Sequence, residues 1–178
     1  MRAVAEALGV SHAAPAHHFA DKEALLQELR RQAWSDFADA LESAGDAPDA
    51  LRHMGRAYVA YALSHPRRME LIFRSSSSAS SPDVLSQSMR AWIALSQAVV
   101  RHIGPAKAAD SRLVSVLSVA AWAQAHGLAM LWTDVGLPPG MPQGEAARPL
   151  HEAALDVLYA GMTTILGPAS SLPQAPSA

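Results

Sequence analysis

The side chains that could carry out chemistry in this sequence are few and widely spaced. Two adjacent histidines, His17 and His18, are the densest group of metal-ligating type. Neighbouring residues on a helix point about 100° apart, so the two rings diverge, and no partner ligand is evident near them. A zinc site needs three or four protein ligands. The sequence therefore predicts no metal site.

Patterns that mark enzymes are missing as well. The sequence has no Gly-rich phosphate loop, no His-Glu-x-x-His, no Gly-x-Ser-x-Gly elbow and no close carboxylate pair on one apolar face. Because there is no cysteine, a thiol nucleophile and a disulfide framework are also excluded, and a reducing compartment is favoured. We therefore expect no catalytic residues and no cofactor, and a cytoplasmic location.

The stretch from Val4 to Leu26 has residue types that suit contact with DNA. It is predicted to form a short helix, a turn at Gly9, a second short helix capped by Ser11, and a long helix that begins at Asp21. This order is typical of a helix-turn-helix motif, whose second helix enters the major groove and needs small or polar side chains. The predicted DNA contacts are Ser11, His12, Ala13, Ala14, Ala16, His17, His18 and Lys22.

Two kinds of contact are expected from these residues. The alanine methyl groups can touch thymine methyl groups, and His12 can donate or accept a hydrogen bond at a base edge. His17, His18 and Lys22 would face phosphates, and Ser11 would add a neutral contact. The net charge of −2 and the pI near 6.4 count against nucleic-acid binding. The alternative interpretation is a small helical bundle without a role in DNA binding.

Helical periodicity continues through the rest of the chain. Apolar residues recur every three or four positions, and no period-two strand pattern occurs. Beyond the first two short helices, helices are expected over 21–44, 46–65, 66–73, 82–103, 108–132 and 150–166. The sequence thus predicts an all-α protein with a helix-turn-helix head over 1–43, a helical regulatory body over 46–167 and a disordered tail over 168–178.

Aromatic and methionine side chains recur on the helices of the predicted body. Residues of this kind usually fill a core, but ligand cavities between helices are also mostly apolar with a few polar groups. The candidate pocket residues are Tyr58, Tyr61, Met69, Phe73, Trp92, Trp122, His126 and Met130. Tyr61 and His126 are the preferred polar members, because a buried phenol or imidazole needs a hydrogen-bond partner. A hydrogen-bonded core histidine is an equal alternative for His126.

One segment is long and apolar enough to raise the question of a membrane. From Leu113 to Thr133 there is no charged residue, and this length can span a bilayer. Ser118, Gln124 and His126 dilute the segment, and a helix buried on all sides in a soluble dimer has the same composition. We therefore predict no membrane span.

The same sequence resembles a known family. Ala-x-x-x-Gly-Val-Ser at 5–11, His-Phe at 18–19 and Asp-Lys-Glu-x-Leu-Leu at 21–26 resemble the signature of the tetracycline-repressor (TetR) family. His-Ala-Ala-Pro at 12–15 resembles one subgroup of that family. Trp-Ala-Gln-Ala-His-Gly at 122–127 is similar to the Trp-His-Gly segment of the subgroup's C-terminal domain. The resemblance covers nearly the whole chain.

Two departures from the family pattern concern the DNA-binding part. The family has a tyrosine two places before the His-Phe pair, where it contacts a phosphate, and this chain has Ala16 there. The family also begins with a full helix ahead of the position that Met1 occupies here, so the first helix is expected to be missing. We therefore expect weak binding to DNA.

The resemblance implies a homodimer that binds double-stranded DNA. The last two helices would pair with their copies as a four-helix bundle, and the two heads would bind half-sites of a palindromic operator about one helical turn apart. Four small residues would allow the close approach of the subunits: Ala121, Ala125, Ala129 and Gly161. We predict a repressor that a small apolar or aromatic effector releases from its operator. The alternatives are a dimeric helical small-molecule-binding protein that has lost DNA binding, and a membrane-associated helical protein.

Overall fold

The computed structural model of the chain describes residues 2–11, 13–47, 49–73, 81–135 and 138–164. Every regular element in these ranges is helical, which confirms the predicted all-α fold. The helices are, in chain order, α1 (Arg2–Ala7), α2 (Ala14–His18), α3 (Lys22–Gly45), α4 (Ala50–Ser64), α5 (Pro66–Phe73), α6 (Pro82–Ile103), α7 (Pro105–Ala108), α8 (Ser111–Met130) and α9 (Arg148–Thr164). A π-helical turn at Leu131–Val135 follows α8, and a 3-10 turn at Gly144–Ala147 precedes α9.

Local sequence explains how the first three helices begin and end. Gly9 has a φ of 66°, a left-handed conformation that suits glycine, and it reverses the chain after α1. The Ser11 hydroxyl accepts a hydrogen bond from the Ala14 amide at 3.2 Å, as expected of a capping serine. The Asp21 carboxylate accepts from the Ala24 amide at 2.8 Å and caps α3. The turns between the first three helices are therefore determined by residues within or next to those turns.

The long helix α3 connects the N-terminal helices to the rest of the molecule. Its 24 residues span about 36 Å. Its first half carries mostly half-buried and exposed side chains, whereas Trp34, Phe37 and Leu41 in its second half are buried in the main core. The most extensive helix–helix contacts of α3 are with α6 and α4. The core of the body therefore begins inside α3, ahead of residue 46.

The C-terminal helices differ from their predicted bounds. The helix expected over 108–132 begins only at Ser111, as α8, because Asp110 accepts hydrogen bonds from the amides of Arg112 and Leu113 at 3.0 and 3.1 Å and caps it. The short helix α7 precedes it and ends at Ala108. The predicted disordered tail over 168–178 lies outside the described residues.

Helix α8 is buried on one side only. Ala121, Ala125 and Ala129 belong to the core of their own chain and are at most 3% exposed. The prediction that these alanines allow the close approach of two subunits is therefore wrong, while Gly161 is half-buried. The segment Ser111–Thr133 is long and apolar enough to cross a membrane by length and composition, a test that the core helix of a soluble protein also passes.

Candidate DNA-binding head and effector sites

Most of the side chains predicted to contact DNA are open to solvent on and around α2. Exposed positions are Ser11, Ala13, Ala16, His17, His18 and Lys22, whereas Ala14 is half-buried. His12 lies outside the described residues. Because α2 has only five residues and no buried side chain, nothing in the described part of the chain covers its outer face. The helix is thus accessible to a large partner.

Several charged side chains of α3 form ion pairs within the helix. Arg30 pairs with Glu23 at 3.0 Å and Arg31 with Glu28 at 2.7 Å, farther along α3. The hydrogen bonds from Arg31 lower the pKa of Glu28 to about 2. Lys22, next to α2, has no ion-pair partner among the described residues. A phosphate approaching α2 would therefore meet an uncompensated ammonium group.

Five of the predicted pocket residues meet in one aromatic cluster, which we define as Tyr58, Phe73, Trp92, Trp122 and His126. The Tyr58 hydroxyl lies 2.8 Å from Nδ1 of His126, and the Phe73 ring lies 4.7 Å from the His126 ring. Trp122 is central, with ring distances of 5.7 Å to Tyr58, 6.0 Å to Phe73 and 6.2 Å to Trp92.

The other three predicted pocket residues have different surroundings. The Tyr61 hydroxyl donates to the carbonyl of Ala33 at 3.2 Å, and its ring stacks on His65. Met69 is fully buried, and Met130 packs against the edge of the core. The sequence analysis missed Trp34, whose ring lies 5.2 Å from Phe73 and 6.5 Å from Trp122. Its apolar spacing on α3 would have revealed a core position.

The aromatic cluster is filled by its own side chains. The cavity beside Tyr58 and Trp122 has a volume of about 10 Å³, too small for more than one water molecule. Burial raises the pKa of the Tyr58 hydroxyl above its ordinary value, so the group stays neutral and hydrogen-bonded. These residues behave as core in the structure as it stands.

A much larger cavity lies on the opposite side of α4, and we call it the α4–α9 groove. It has a volume of about 680 Å³, within the range of small-molecule sites. Its walls include Arg56, Ala57 and Ala60 on α4, and Arg148, His151 and Glu152 on α9. The sequence analysis did not identify these residues, because their spacing carries no aromatic or metal-ligating pattern.

Comparisons with known proteins assign the chain to a family. Residues 1–29 match the sequence model described as bacterial regulatory proteins, tetR family, and residues 51–158 match the model described as tetracyclin repressor-like, C-terminal domain. The second match alone spans more than half of the chain. The chain belongs to the TetR family. It is therefore a transcriptional regulator of the DNA-binding kind, and α1, α2 and the start of α3 form its helix-turn-helix head.

Two solved structures share the fold of this TetR chain. A structure of a protein with unknown function from Rhodococcus sp. RHA1 is similar, with a TM-score of 0.73 and 26% identity over 92% of this chain and 84% of that chain. A crystal structure of a candidate regulatory protein, SCO4313, has a TM-score of 0.67 and 23% identity over 88% of this chain and 82% of that chain. A comparison with curated protein sequences gives no match.

In this TetR protein, α3 is attached to the body by charged side chains as well as by its apolar face. Arg90 on α6 donates to Glu42 at 2.5 Å and to Asp39 at 2.7 Å. Arg68 on α5 donates to Asp36. These pairs join α5 and α6 to the helix that carries the head.

Proposed function

We propose that this TetR regulator is a homodimeric repressor that binds a palindromic operator and leaves it when its body binds a small molecule. The observation that carries the proposal is the accessible face of α2, which lies just before the N-terminus of α3. A helix that enters the major groove of DNA must not be covered by the rest of its own chain. We assign no catalytic activity to the protein and place it in the cytoplasm, outside the membrane.

The proposed contacts to DNA are those that the sequence predicts. Ser11, His12, Ala13, Ala14 and Ala16 would face the bases and nearby backbone. His17, His18 and Lys22 would face phosphates. Support comes from the exposure of most of these side chains and from the absence of an ion pair at Lys22 among the described residues.

The proposed dimer uses the outer faces of α8 and α9. Val116 and Val119 on α8 are 45% and 57% exposed, and Val157 on α9 is 75% exposed. Ala123 and Ala153 continue these rows one helical turn away. An exposed row of apolar and small residues on two neighbouring helices suits pairing with a second copy, which would set the two heads a fixed distance apart.

Release from DNA would follow from a shift between two states of the body. An effector that binds more tightly to the state whose heads do not fit neighbouring major grooves lowers the operator affinity. Two places in the body are available to it. One is the aromatic cluster, which would have to open to admit a ligand. The other is the α4–α9 groove, which is already open.

Fluorescence anisotropy tests the proposal. The purified chain is titrated against DNA from upstream of its own gene and against scrambled DNA at two salt concentrations, because salt weakens phosphate contacts in all sequences alike. We expect tighter binding to the upstream DNA, and we expect Lys22→Ala to reduce the salt dependence by about one phosphate contact.

The matched control replaces a basic residue of the body, Lys107→Ala on α7, and should leave DNA binding unchanged. Equal affinity for upstream and scrambled DNA would contradict the proposal. That outcome would favour the alternative function, a helical small-molecule-binding dimer without DNA binding.

A further inference from the structure

The α4–α9 groove has a wall of mixed apolar and charged residues, and two buried polar atoms of residues that line it lack a hydrogen bond. His151 is only 4% exposed, and its Nε2 has no hydrogen-bond partner in the described part of the chain. The Nε atom of Arg56, on the opposite wall, is also buried and without a hydrogen-bond partner. Buried polar groups are nearly always hydrogen-bonded in proteins. Two such atoms at one groove therefore call for an explanation.

Unpaired atoms of this kind are concentrated at the groove. Among the described residues, four buried side-chain atoms lack a hydrogen bond. One of them, Oδ1 of Asp156, lies 2.8 Å from Nε of Arg52 and is thus compensated by an ion pair. Of the remaining three, two belong to Arg56 and His151. Both of these residues line the groove.

The groove is separate from the surface that we propose for the dimer. Since residues of an α-helix are spaced about 100° apart, Arg148, Glu152 and Leu155 share one side of α9. Ala153 and Val157 lie on the opposite, exposed side. A second subunit that pairs on the exposed side would leave the groove open. The occupant that fits is therefore a small molecule rather than another copy of the chain.

The polar groups of the groove select the chemistry of that molecule. Nε of Arg56 can only donate a hydrogen bond, and its guanidinium lies 3.8 Å from Glu152, a loose pair that an incoming anion can displace. His151 Nε2 donates when that nitrogen carries the proton. Arg148 is held at the mouth of the groove by Glu145. Ala57, Ala60 and Leu63 provide an apolar surface between these groups.

We propose that the α4–α9 groove binds an amphipathic organic anion, with its carboxylate accepting hydrogen bonds from Arg56 and His151 and its apolar body lying on Ala57, Ala60 and Leu63. The binding site stands on the groove alone. Its role as the effector site rests on the proposed repressor function, because an effector acts by changing the affinity of a repressor for DNA.

The direct test uses anilinonaphthalene sulfonate, an aromatic anion whose fluorescence rises in apolar sites. The full chain is titrated with the probe, and decanoate and decanol are then compared as competitors. We expect one saturable site per chain, displaced by decanoate far better than by decanol. Absence of a saturable site, or equal displacement by acid and alcohol, would overturn the proposal.

Two arginines on α4 provide matched variants. Arg52 and Arg56 each pair with an acidic residue of α9, but only Arg56 lines the groove. Arg56→Met should weaken binding of the probe about tenfold, as the loss of a charged hydrogen bond implies. Arg52→Met should leave it within about twofold. Equal effects of the two substitutions would overturn the assignment.

A substitution on the opposite wall tests the site independently, in case an arginine variant does not fold. His151→Phe keeps an apolar ring beside Trp132, whose ring lies 4.0 Å from that of His151, but removes both ring nitrogens. It should weaken binding of the probe about as much as Arg56→Met does. Thermal unfolding of each variant is measured first to show that the variant is folded. Unchanged affinity in a folded His151→Phe variant would exclude His151 from the site.

A last measurement separates the groove from the proposed function. Decanoate is added to the complex of the chain with upstream DNA. Lower DNA affinity in the wild type, but not in Arg56→Met, is the expected result. If the anion binds the groove while the affinity for DNA stays constant, the groove is a binding site but not the effector site. If the chain does not prefer upstream DNA to scrambled DNA, the proposed repressor function is wrong, and the measured binding at the groove is unaffected by that outcome.

Discussion

The two sides of α4 differ in how completely their side chains fill space. On one side, Tyr58 lies against Trp122 and His126, and the remaining cavity is about 10 Å³. On the other side, Ala57 and Ala60 face α9 across a groove of about 680 Å³. Both sides belong to the same helix. The filled side carries large aromatic side chains, whereas the open side carries alanines.

This contrast shows why aromatic spacing is a poor guide to a ligand site. Large rings attract attention in a sequence because they line many pockets. In this protein, five of the predicted residues are bulky enough to occupy the space that they enclose. An empty cavity forms where small residues stand opposite polar ones, as Ala57 and Ala60 stand opposite His151. Burial also leaves polar atoms without hydrogen bonds there, which a filled core does not tolerate.

The largest loss of stability is expected when a ring is removed from the aromatic cluster. Trp122→Ala removes the ring at the centre of the aromatic cluster and should lower the free energy of unfolding by about 3–5 kcal/mol. Urea denaturation measures this change. Because an apolar cavity of that shape can hold a small aromatic molecule, added indole should raise the melting temperature of the variant but not of the wild type.

The control for this substitution lies on the open side of α4. Leu63→Ala truncates a residue that is 39% exposed and should change the free energy of unfolding by less than about 1 kcal/mol. Similar losses for Trp122→Ala and Leu63→Ala would remove the distinction between a filled and an open side.

The next effect concerns Gly55 on α4, which packs against Tyr159 and Leu155 of α9. A Cβ atom at Gly55 would lie 1.9 Å from the hydroxyl oxygen of Tyr159. Gly55→Ala should therefore lower the free energy of unfolding by about 1–3 kcal/mol, because the ring must shift out of a buried site. A Cβ atom at Gly127 on α8 would meet no neighbouring atom within 4 Å, so Gly127→Ala should be neutral or stabilise by up to about 1 kcal/mol.

Differential scanning calorimetry on both glycine variants checks this pair of expectations. Adding Tyr159→Phe to Gly55→Ala removes the hydroxyl that the new methyl group meets and should recover part of the loss. No recovery in the double variant would indicate that the cost at Gly55 has another origin than this contact.

A smaller effect is expected from the single hydrogen bond inside the aromatic cluster. Tyr58→Phe removes the hydroxyl that lies 2.8 Å from Nδ1 of His126, at a cost of about 1 kcal/mol in the free energy of unfolding. The ring itself and its contact with Trp122 remain. Chemical denaturation of the variant, with binding of the anionic probe as a second readout, should show lower stability and an unchanged groove.

The smallest effect is a pH dependence on the open side. Burial lowers the pKa of His151 below its ordinary value of 6.5. The unfolded chain then binds more protons than the folded chain between the lowered pKa and 6.5, so this residue's contribution to stability is lost as the pH falls through that window. Between about pH 7 and pH 5, the wild type should lose more unfolding free energy than His151→Gln. Parallel pH profiles would contradict this expectation.

Residue types alone are sufficient to predict the features that depend on close neighbours in the chain. The left-handed Gly9, the Ser11 hydroxyl cap and the Asp21 cap lie within a few positions of the helices that they start or end, so no distant contact is needed to define them. The apolar spacing on α3, α4 and α6 also predicts helices for the same local reason. The resemblance to the TetR family is also carried by short segments, at 5–11, 18–19 and 21–26.

The roles of the helix faces, in contrast, depend on tertiary packing. Whether Trp122 lines a cavity or fills one depends on Tyr58, Phe73 and Trp92, which come from three other helices. The inward position of Ala121, Ala125 and Ala129, and the meeting of Arg56 with His151 at one groove, depend in the same way on how the helices rotate against each other. Periodicity gives a helix its faces, but volumes contributed by residues far apart in the sequence determine which face is filled and which is left open.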